Sequence, residues 1–427
     1  MGLERILALP EAAALRALTR DGRRLFLTRI IRLFAYGLLS VVLALYLAQV
    51  GLTDRQIGLV LTLTLAGDAA ISLWLTTHAD RTGRRRTLLV GCGLMVVAGV
   101  VFASTGDVAL LVAAAIVGVI SPSGGEVGPF QAIEQAALPE TAPAPYRTNL
   151  FAWYNLVGSA ATAVGALAGG LVAQSLQAVG VAPIDSYRVV VVTYAACGVA
   201  LAVVFLMLSP AVEVQRHAVG ADPVASWLGL HRSRSVVLPF ASLSMVDAFA
   251  GGLVLQTLMA YWFHLRFGVD AAVLGAIFFG ANLFAGLSAL AAARIAARIG
   301  LLETMVFTHI PSNVLLMLVP LMPTLPLATA VLLARFSISQ MDVPTRQSYL
   351  VAVVAPDERS AAAGLTAIAR TLGSSAAPVV SGLLLASGLL AVPFYASGAL
   401  KIAYDLAMLR GFRSVRPPEE QARAAVP

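Results

Sequence analysis

The sequence predicts an all-α integral membrane protein, with twelve transmembrane helices in two pseudo-symmetric six-helix bundles. Its 427 residues are 59% apolar and only 12% charged, against roughly 45–50% and about 25% in soluble domains. Apolar stretches near the roughly 20 residues that cross a bilayer recur along the whole chain. Basic residues gather in alternate connections between those stretches, the pattern that sets membrane topology. This composition excludes an ordinary soluble enzyme and a disordered chain. The net charge of +7 does not imply nucleic acid, because the charges are dispersed among short loops.

Taken in order, residues 1–25 read as a cytoplasmic segment. Within it, Leu3 to Arg20 is too charged for a cleavable signal and resembles an amphipathic helix lying at the membrane surface. Candidate spans follow at 26–49, 56–77, 88–105, 108–127, 149–173, 187–209, 236–263, 271–293, 303–322, 325–344, 360–385 and 389–409. The longest interior connection, 210–235, is polar and carries Arg216, Arg232 and Arg234. It separates an N-terminal bundle, 26–209, from a C-terminal bundle, 236–410, which a cytoplasmic tail, 411–427, follows. With both termini in the cytoplasm, 23 basic residues lie on that side: seven from Arg5 to Arg32, twelve across the inner loops and four from Arg410 onward. Only Arg55, Arg188 and Arg266 fall opposite. All but one of the 29 basic residues are Arg, the exception being Lys401. That usage suits a GC-rich bacterial genome, so the expected location is a bacterial cytoplasmic membrane. Cys92 and Cys197, both in apolar runs, read as small packing residues. Trp153, Tyr154 and Trp262, near span ends, read as interfacial anchors.

A repeat links the halves. In span five, Ala152, Ala161, Gly165, Ala166, Gly169 and Gly170 are spaced as Gly364, Gly373, Ala377, Pro378, Ser381 and Gly382 are in span eleven, and Arg147 and Arg359 precede both at the same offset. Small residues let membrane helices approach backbone to backbone. Repeated six-helix halves with a site between them are a transporter architecture.

The link between spans two and three reads Asp80-Arg81-Thr82-Gly83-Arg84-Arg85-Arg86. It resembles the G-x-x-x-D-R-x-G-R-R signature of the major facilitator superfamily, with Thr76 where the family has glycine. A degenerate echo, Ala297-Arg298-Ile299-Gly300, lies between spans eight and nine. The resemblance covers the whole chain and implies the major facilitator fold. It also implies that Asp80, Arg81, Gly83 and Arg84 latch the halves together on the cytoplasmic side. The glycine pattern of span eleven is similar to the antiporter motif of the drug/proton exchange branch, which lies in span five there. In this chain Gly165, Gly169 and Gly170 keep part of that motif in span five. The branch's arginine in span four is absent, and Arg335 stands in the pseudo-equivalent span ten.

Charges inside spans are costly and mark function. Aligning Pro129 with Pro344 places Glu126 and Asp342 at nearly matching points of spans four and ten, and Asp247 lies midway along span seven before Gly251-Gly252. These three are the candidate proton carriers, since burial favours a carboxylate that takes up protons. Arg335, seven residues from Asp342, is expected two turns away on the same face, able to pair with it or to meet a substrate anion. Asp342 has Arg346 as a second possible partner. Asp68 reads as structural, and Lys401 and Asp405 as a local i,i+4 pair. Arg370 offers a further anion-binding group. The stretch 121–129, with two prolines and three glycines, reads as a hinge or cavity-lining segment carrying Glu126. Tyr36, Gln256, Asn282 and Ser339, with Arg335, are candidates to line the substrate cavity.

The five histidines are scattered and no P-loop occurs, so neither a metal, a cofactor nor ATP is expected. An embedded enzyme or a channel is the rival from another class. The residues favour a monomeric secondary transporter, proton-coupled and exporting a small organic solute, with uptake of a small organic anion or metabolite as the alternative.

Overall fold

The computed structural model describes residues 18–141, 147–213, 230–355, 358–415 and 417. The amphipathic segment predicted from Leu3, and most of the central connection and tail, lie outside them. Spans one to three are the helices α1 (Arg20–Gln49), α2 (Asp54–Thr82) and α3 (Arg84–Ser104). Span four is interrupted: α4 (Val108–Val117) gives way to irregular backbone before the short α5 (Phe130–Ala137). Spans five and six are α6 (Arg147–Ala178) and α7 (Pro183–Leu206). Span seven divides into α8 (Arg234–Gly252) and α9 (Gln256–Phe267), while α10 (Ala271–Ile299) and α11 (Leu301–Leu318) are spans eight and nine. Span ten divides into α12 (Leu325–Phe336) and α13 (Asp342–Val353), and α14 (Arg359–Ala386) and α15 (Val392–Phe412) complete the order.

Local chemistry sets several of these boundaries. Thr19 caps α1 by accepting from the Gly22 amide at 3.2 Å, and Asp107 caps α4 through the Leu110 amide at 2.9 Å. Gly83 and Gly300, in the signature loop and its echo, turn into α3 and α11 at φ of 98° and 100°, where a side chain would be strained.

Among the described residues, nine helices are long and apolar enough to cross a membrane. Spans four and ten fall short because their apolar helices, Val108–Val117 and Leu325–Phe336, stop at the breaks. Span twelve carries Lys401, Asp405 and Arg410, which dilute its hydropathy. Along the middle of α3 and α7 the exposed side chains are apolar, Val97, Val100, Val192 and Val203 among them, as a lipid-facing surface requires.

The chain divides into two compact units. The first comprises Met1–Leu52, Leu63–Ala218 and Val269–Phe279; the second comprises Thr53–Thr62, Val219–Gly268 and Gly280–Pro427. In the first, α1 packs along α6 and α7, and α3 along α7. In the second, α8 packs along α14 and α15, and α11 along α15. These are the same pairings six spans later, so the sequence repeat is also a repeat of packing.

The small residues serve that packing. A Cβ on Gly165 would lie 2.0 Å from the Phe34 carbonyl oxygen, and one on Gly169 would lie 2.3 Å from that of Leu38. In the second unit a Cβ on Gly373 would sit 2.2 Å from the Met245 oxygen. Gly170 approaches Ala271, and Gly382 approaches Asp54 and Gly58. Gly364 differs: a Cβ there meets open space. Pro378 lies inside α14, and the following amide, of Val379, donates to Thr62 Oγ1 at 2.9 Å.

Candidate functional site: two buried charge networks

In the first unit, the irregular stretch 118–129 brings Glu126 to α1. No helix ladder satisfies its backbone, so side chains do. Asp68 accepts from the Gly128 amide at 2.7 Å, and Tyr36 and Thr162 donate to the Val127 and Gly124 carbonyls, each at 3.3 Å. Tyr194 donates to Val119. Backbone of this kind is tolerated at membrane depth only where protein or a wet cavity partners it. Glu126 therefore sits in a break in span four and not on a continuous helix.

Two arginines of α1 meet this carboxylate. Arg29 Nη1 bonds Glu126 Oε1, and Arg32 Nε bonds Oε2 at 3.0 Å. Arg32 also grips Glu134 of α5 in bidentate fashion, at 2.8 and 2.7 Å. Glu134 accepts further bonds from Thr28, at 2.7 Å, and from the Tyr154 hydroxyl. Arg29 lies over the Tyr154 ring at 3.9 Å and donates to that residue's carbonyl at 2.7 Å. Arg32, Glu134 and Tyr154 are fully buried. Several expectations change here. Arg29 and Arg32 do not mark the cytoplasmic face but neutralise acids inside the bundle, and Tyr154 is a buried member of the network instead of an interfacial anchor.

The second unit holds a larger network, centred on Asp247 of α8. Lys401 Nζ lies 2.6 Å from Asp247 Oδ1, and Arg370 and Arg346 reach Oδ2 at 2.7 and 3.2 Å. Arg346 also bonds Asp342 at 2.8 Å. Asp405 is satisfied by His309 Nδ1 at 2.9 Å and Asn313 at 3.4 Å, while His309 Nε2 stands 4.0 Å from Asp247. The predicted Lys401–Asp405 pair is thus replaced by two inter-helix contacts. Arg335 does not pair with Asp342, because span ten is interrupted between them and the assumed helical register is lost.

The remaining candidates scatter. Gln256 accepts from Asn282 at 3.0 Å. Arg335 and Ser339 are buried, and Arg335 Nε and Ser339 Oγ have no hydrogen-bond partner among the described residues. Trp262, predicted at the interface, is buried and packs on Phe394 with ring centroids 4.7 Å apart. Cys92 is buried and free, and Cys197 half-buried and free.

At the signature loop, the side chains of Asp80 and Arg81 lie outside the described residues. The amides of Arg84 and Arg85 donate to Glu213 at 2.7 and 3.1 Å, an acid at a helix N-terminus that the dipole favours. Glu358 does the same for span seven, accepting from the amides of His231, Arg232 and Ser233 at 2.5, 2.7 and 2.7 Å. Burial pushes the Glu358 carboxyl up, but these donors outweigh it and bring it down to about 2. Sequence reasoning missed Arg29, Arg32, Glu134, His309, Glu213 and Glu358. The i,i+3 pair Arg29 and Arg32 was the one readable signal, since both face one side of a helix.

A model of the Major Facilitator Superfamily matches residues 25–341. An uncharacterized membrane protein of Saccharomyces cerevisiae is 32% identical over 425 residues, covering 93% of this chain and 95% of its own. Among solved structures, a bacterial homolog to the human lysosomal transporter Spinster, inward-facing and occupied, is similar at a TM-score of 0.69 and 15% identity, over 96% of this chain and 99% of that one. A D-xylose-proton symporter gives 0.70 at 14% identity, over 93% and 98%. The nucleoside transporter NupG gives 0.66 at 14% identity, over 92% and 100%.

Proposed function

The chain belongs to the major facilitator superfamily, and from that premise we propose a proton-coupled secondary transporter that exports a small organic solute by alternating access. The observation that carries this reading is the pair of buried networks, Arg29/Arg32 with Glu126/Glu134 and Lys401/Arg370/Arg346 with Asp247/Asp342. Each is tied to an interrupted span, as substrate and ion sites of transporters are. A proton arriving at Glu126 cancels the charge that holds Arg29 and leaves Arg32 to Glu134, and so loosens α1 from the span-four break. A proton at Asp247 sets three cations against one another, and Asp342 retains a share of Arg346. In this account the proton competes with arginine and lysine for a carboxylate, and the outcome is a change in which helices are tied.

Export is favoured by the glycine spacing similar to the antiporter motif, seated where α6 meets α1 and α14 meets α8. The basic residues of the alternate connections support cytoplasmic termini, and the arginine-rich composition suits a bacterial cytoplasmic membrane. A monomer suffices, because both networks are completed within one chain. Arg335 favours a second reading, uptake of a small organic anion with a proton, which would be electrically neutral.

The test is cellular accumulation. Labelled organic cations, anions and neutral metabolites are offered to a transporter-depleted bacterium expressing the wild type, Glu126→Gln or empty vector, with and without a protonophore. Lower accumulation of a compound in wild-type cells, abolished by protonophore and by Glu126→Gln, is the expected result. Higher accumulation reverses the direction, and a variant that behaves as wild type removes Glu126 from coupling.

A further inference from the structure

One buried cation of the second unit stands outside its charge network. Arg346 and Lys401, both buried, and Arg370, about a third exposed at 32%, share Asp247 and Asp342, and Asp405 is taken by His309. Glu358 is outside this set, committed to backbone amides at the start of α8. These three cations are paired, and among the described residues Arg335 is not. Arg335 is only 9% exposed, its Nε has no acceptor among the described residues, and its neighbour Asp342 is held by Arg346 at 2.8 Å. Four residues on, the Ser339 hydroxyl is 5% exposed and likewise without a partner. An isolated buried cation and an orphaned hydroxyl each cost free energy until something binds them.

We propose that Arg335 and Ser339 form a subsite for the carboxylate of a small organic monoanion. The inference rests on the transporter reading and holds for either direction of transport. Three features define the ligand. One guanidinium is unpaired among the described residues, so a monoanion matches its charge while a phosphate dianion overshoots it. The guanidinium carbon lies over the Phe336 ring, 4.8 Å from its centroid, and of its in-plane donors Nε has no acceptor among the described residues. Those donors form a fork that matches the two oxygens of a carboxylate. The Ser339 hydroxyl supplies one further donor, and the Phe336 ring an apolar surface for the ligand's carbon skeleton. The subsite lies where α12 ends and the span-ten break begins, so a ligand there bears directly on the interrupted helix.

The test is equilibrium binding to the purified full-length protein in detergent, by calorimetry, without any proton gradient. Acetate, lactate and benzoate are titrated, each against its neutral amide, alongside chloride and inorganic phosphate. At least one carboxylate is expected to bind saturably, at least ten-fold more tightly than its amide. Arg335→Gln is expected to weaken it ten-fold or more, Arg335→Lys less, and Ser339→Ala several-fold. Arg335→Lys and Ser339→Ala decide the matter should Arg335→Gln fail to fold. Absence of binding by all three carboxylates, equal binding of acid and amide, preference for chloride or phosphate, or wild-type affinity in the variants would each overturn the subsite. Binding is measured apart from flux, so loss of proton coupling in the accumulation assay leaves this result intact, and the reverse also holds.

Discussion

Lys401 of α15 donates to Asp247 of α8 across 2.6 Å, and Asp405, four residues along the same helix as Lys401, turns instead to His309. The second unit is therefore tied across its helices by charge. Replacing Asp247 by Asn would leave three cations facing one another. Removing one partner of a buried pair costs about 3–5 kcal/mol, so Asp247→Asn is expected to unfold the purified protein at much lower temperature. Adding Lys401→Met should restore part of the loss. A double variant no more stable than Asp247→Asn alone would show that Lys401 contributes little to the tie.

Asp68 makes a different kind of contact. It accepts from the Gly128 amide at 2.7 Å and from the Ser72 hydroxyl at 3.3 Å, so its partners are neutral. Asp68→Asn keeps an acceptor oxygen for the amide and should melt near the wild type. Asp68→Ala strands the amide in the span-four break and should cost about 1–3 kcal/mol. Thermal unfolding of both variants separates the hydrogen bond from the charge.

The glycines of span eleven are unequal, although the sequence pattern treats them alike. Gly373→Ala drives a Cβ against the Met245 carbonyl and should destabilise by about 1–3 kcal/mol through overpacking. Gly364→Ala enters open space and should change stability by less than about 0.5 kcal/mol. Melting temperatures of the two single variants are the check, and an equal effect would contradict the packing role.

Glu358 gives a pH signature outside the membrane. Its carboxyl titrates at about 2 in the folded protein, below the roughly 4.3 of an unfolded glutamate. The clamp on the start of α8 is thus fully present at neutral pH. Its contribution declines as pH falls from about 4.3 and is gone below about 2. Glu358→Gln should be less stable than the wild type at pH 7, with the gap narrowing through that window. A gap that widens on acidification would contradict the assignment.

Much of this was legible before the fold was known. The glycine-rich run around Glu126 predicted a loosened span four, because two prolines and three glycines remove ladder bonds and side-chain restraint together. The small-residue repeat predicted close helix contacts in both halves. What escaped were the partners. Arg29 and Arg32 sit beside a basic N-terminal segment and look like topology markers, and only the fold brings Glu126 and Glu134 to them. His309 is solitary in sequence and meets Asp405 only because α11 packs on α15. Spacing along one helix also misled at Lys401 and at Arg335, where inter-helix geometry and a broken register decided the contacts.

The central claim is that protons and solute are exchanged through the Glu126 network, and the most direct measurement uses proteoliposomes. A pH-sensitive dye is enclosed, and a compound identified by the accumulation assay is added to vesicles holding wild-type protein or Glu126→Gln. The account predicts substrate-dependent proton movement opposite in direction to the solute, concentration of the solute by an imposed pH gradient, and loss of both in the variant while the solute still equilibrates. Solute flux that never responds to the gradient, or proton movement unchanged in Glu126→Gln, would contradict it.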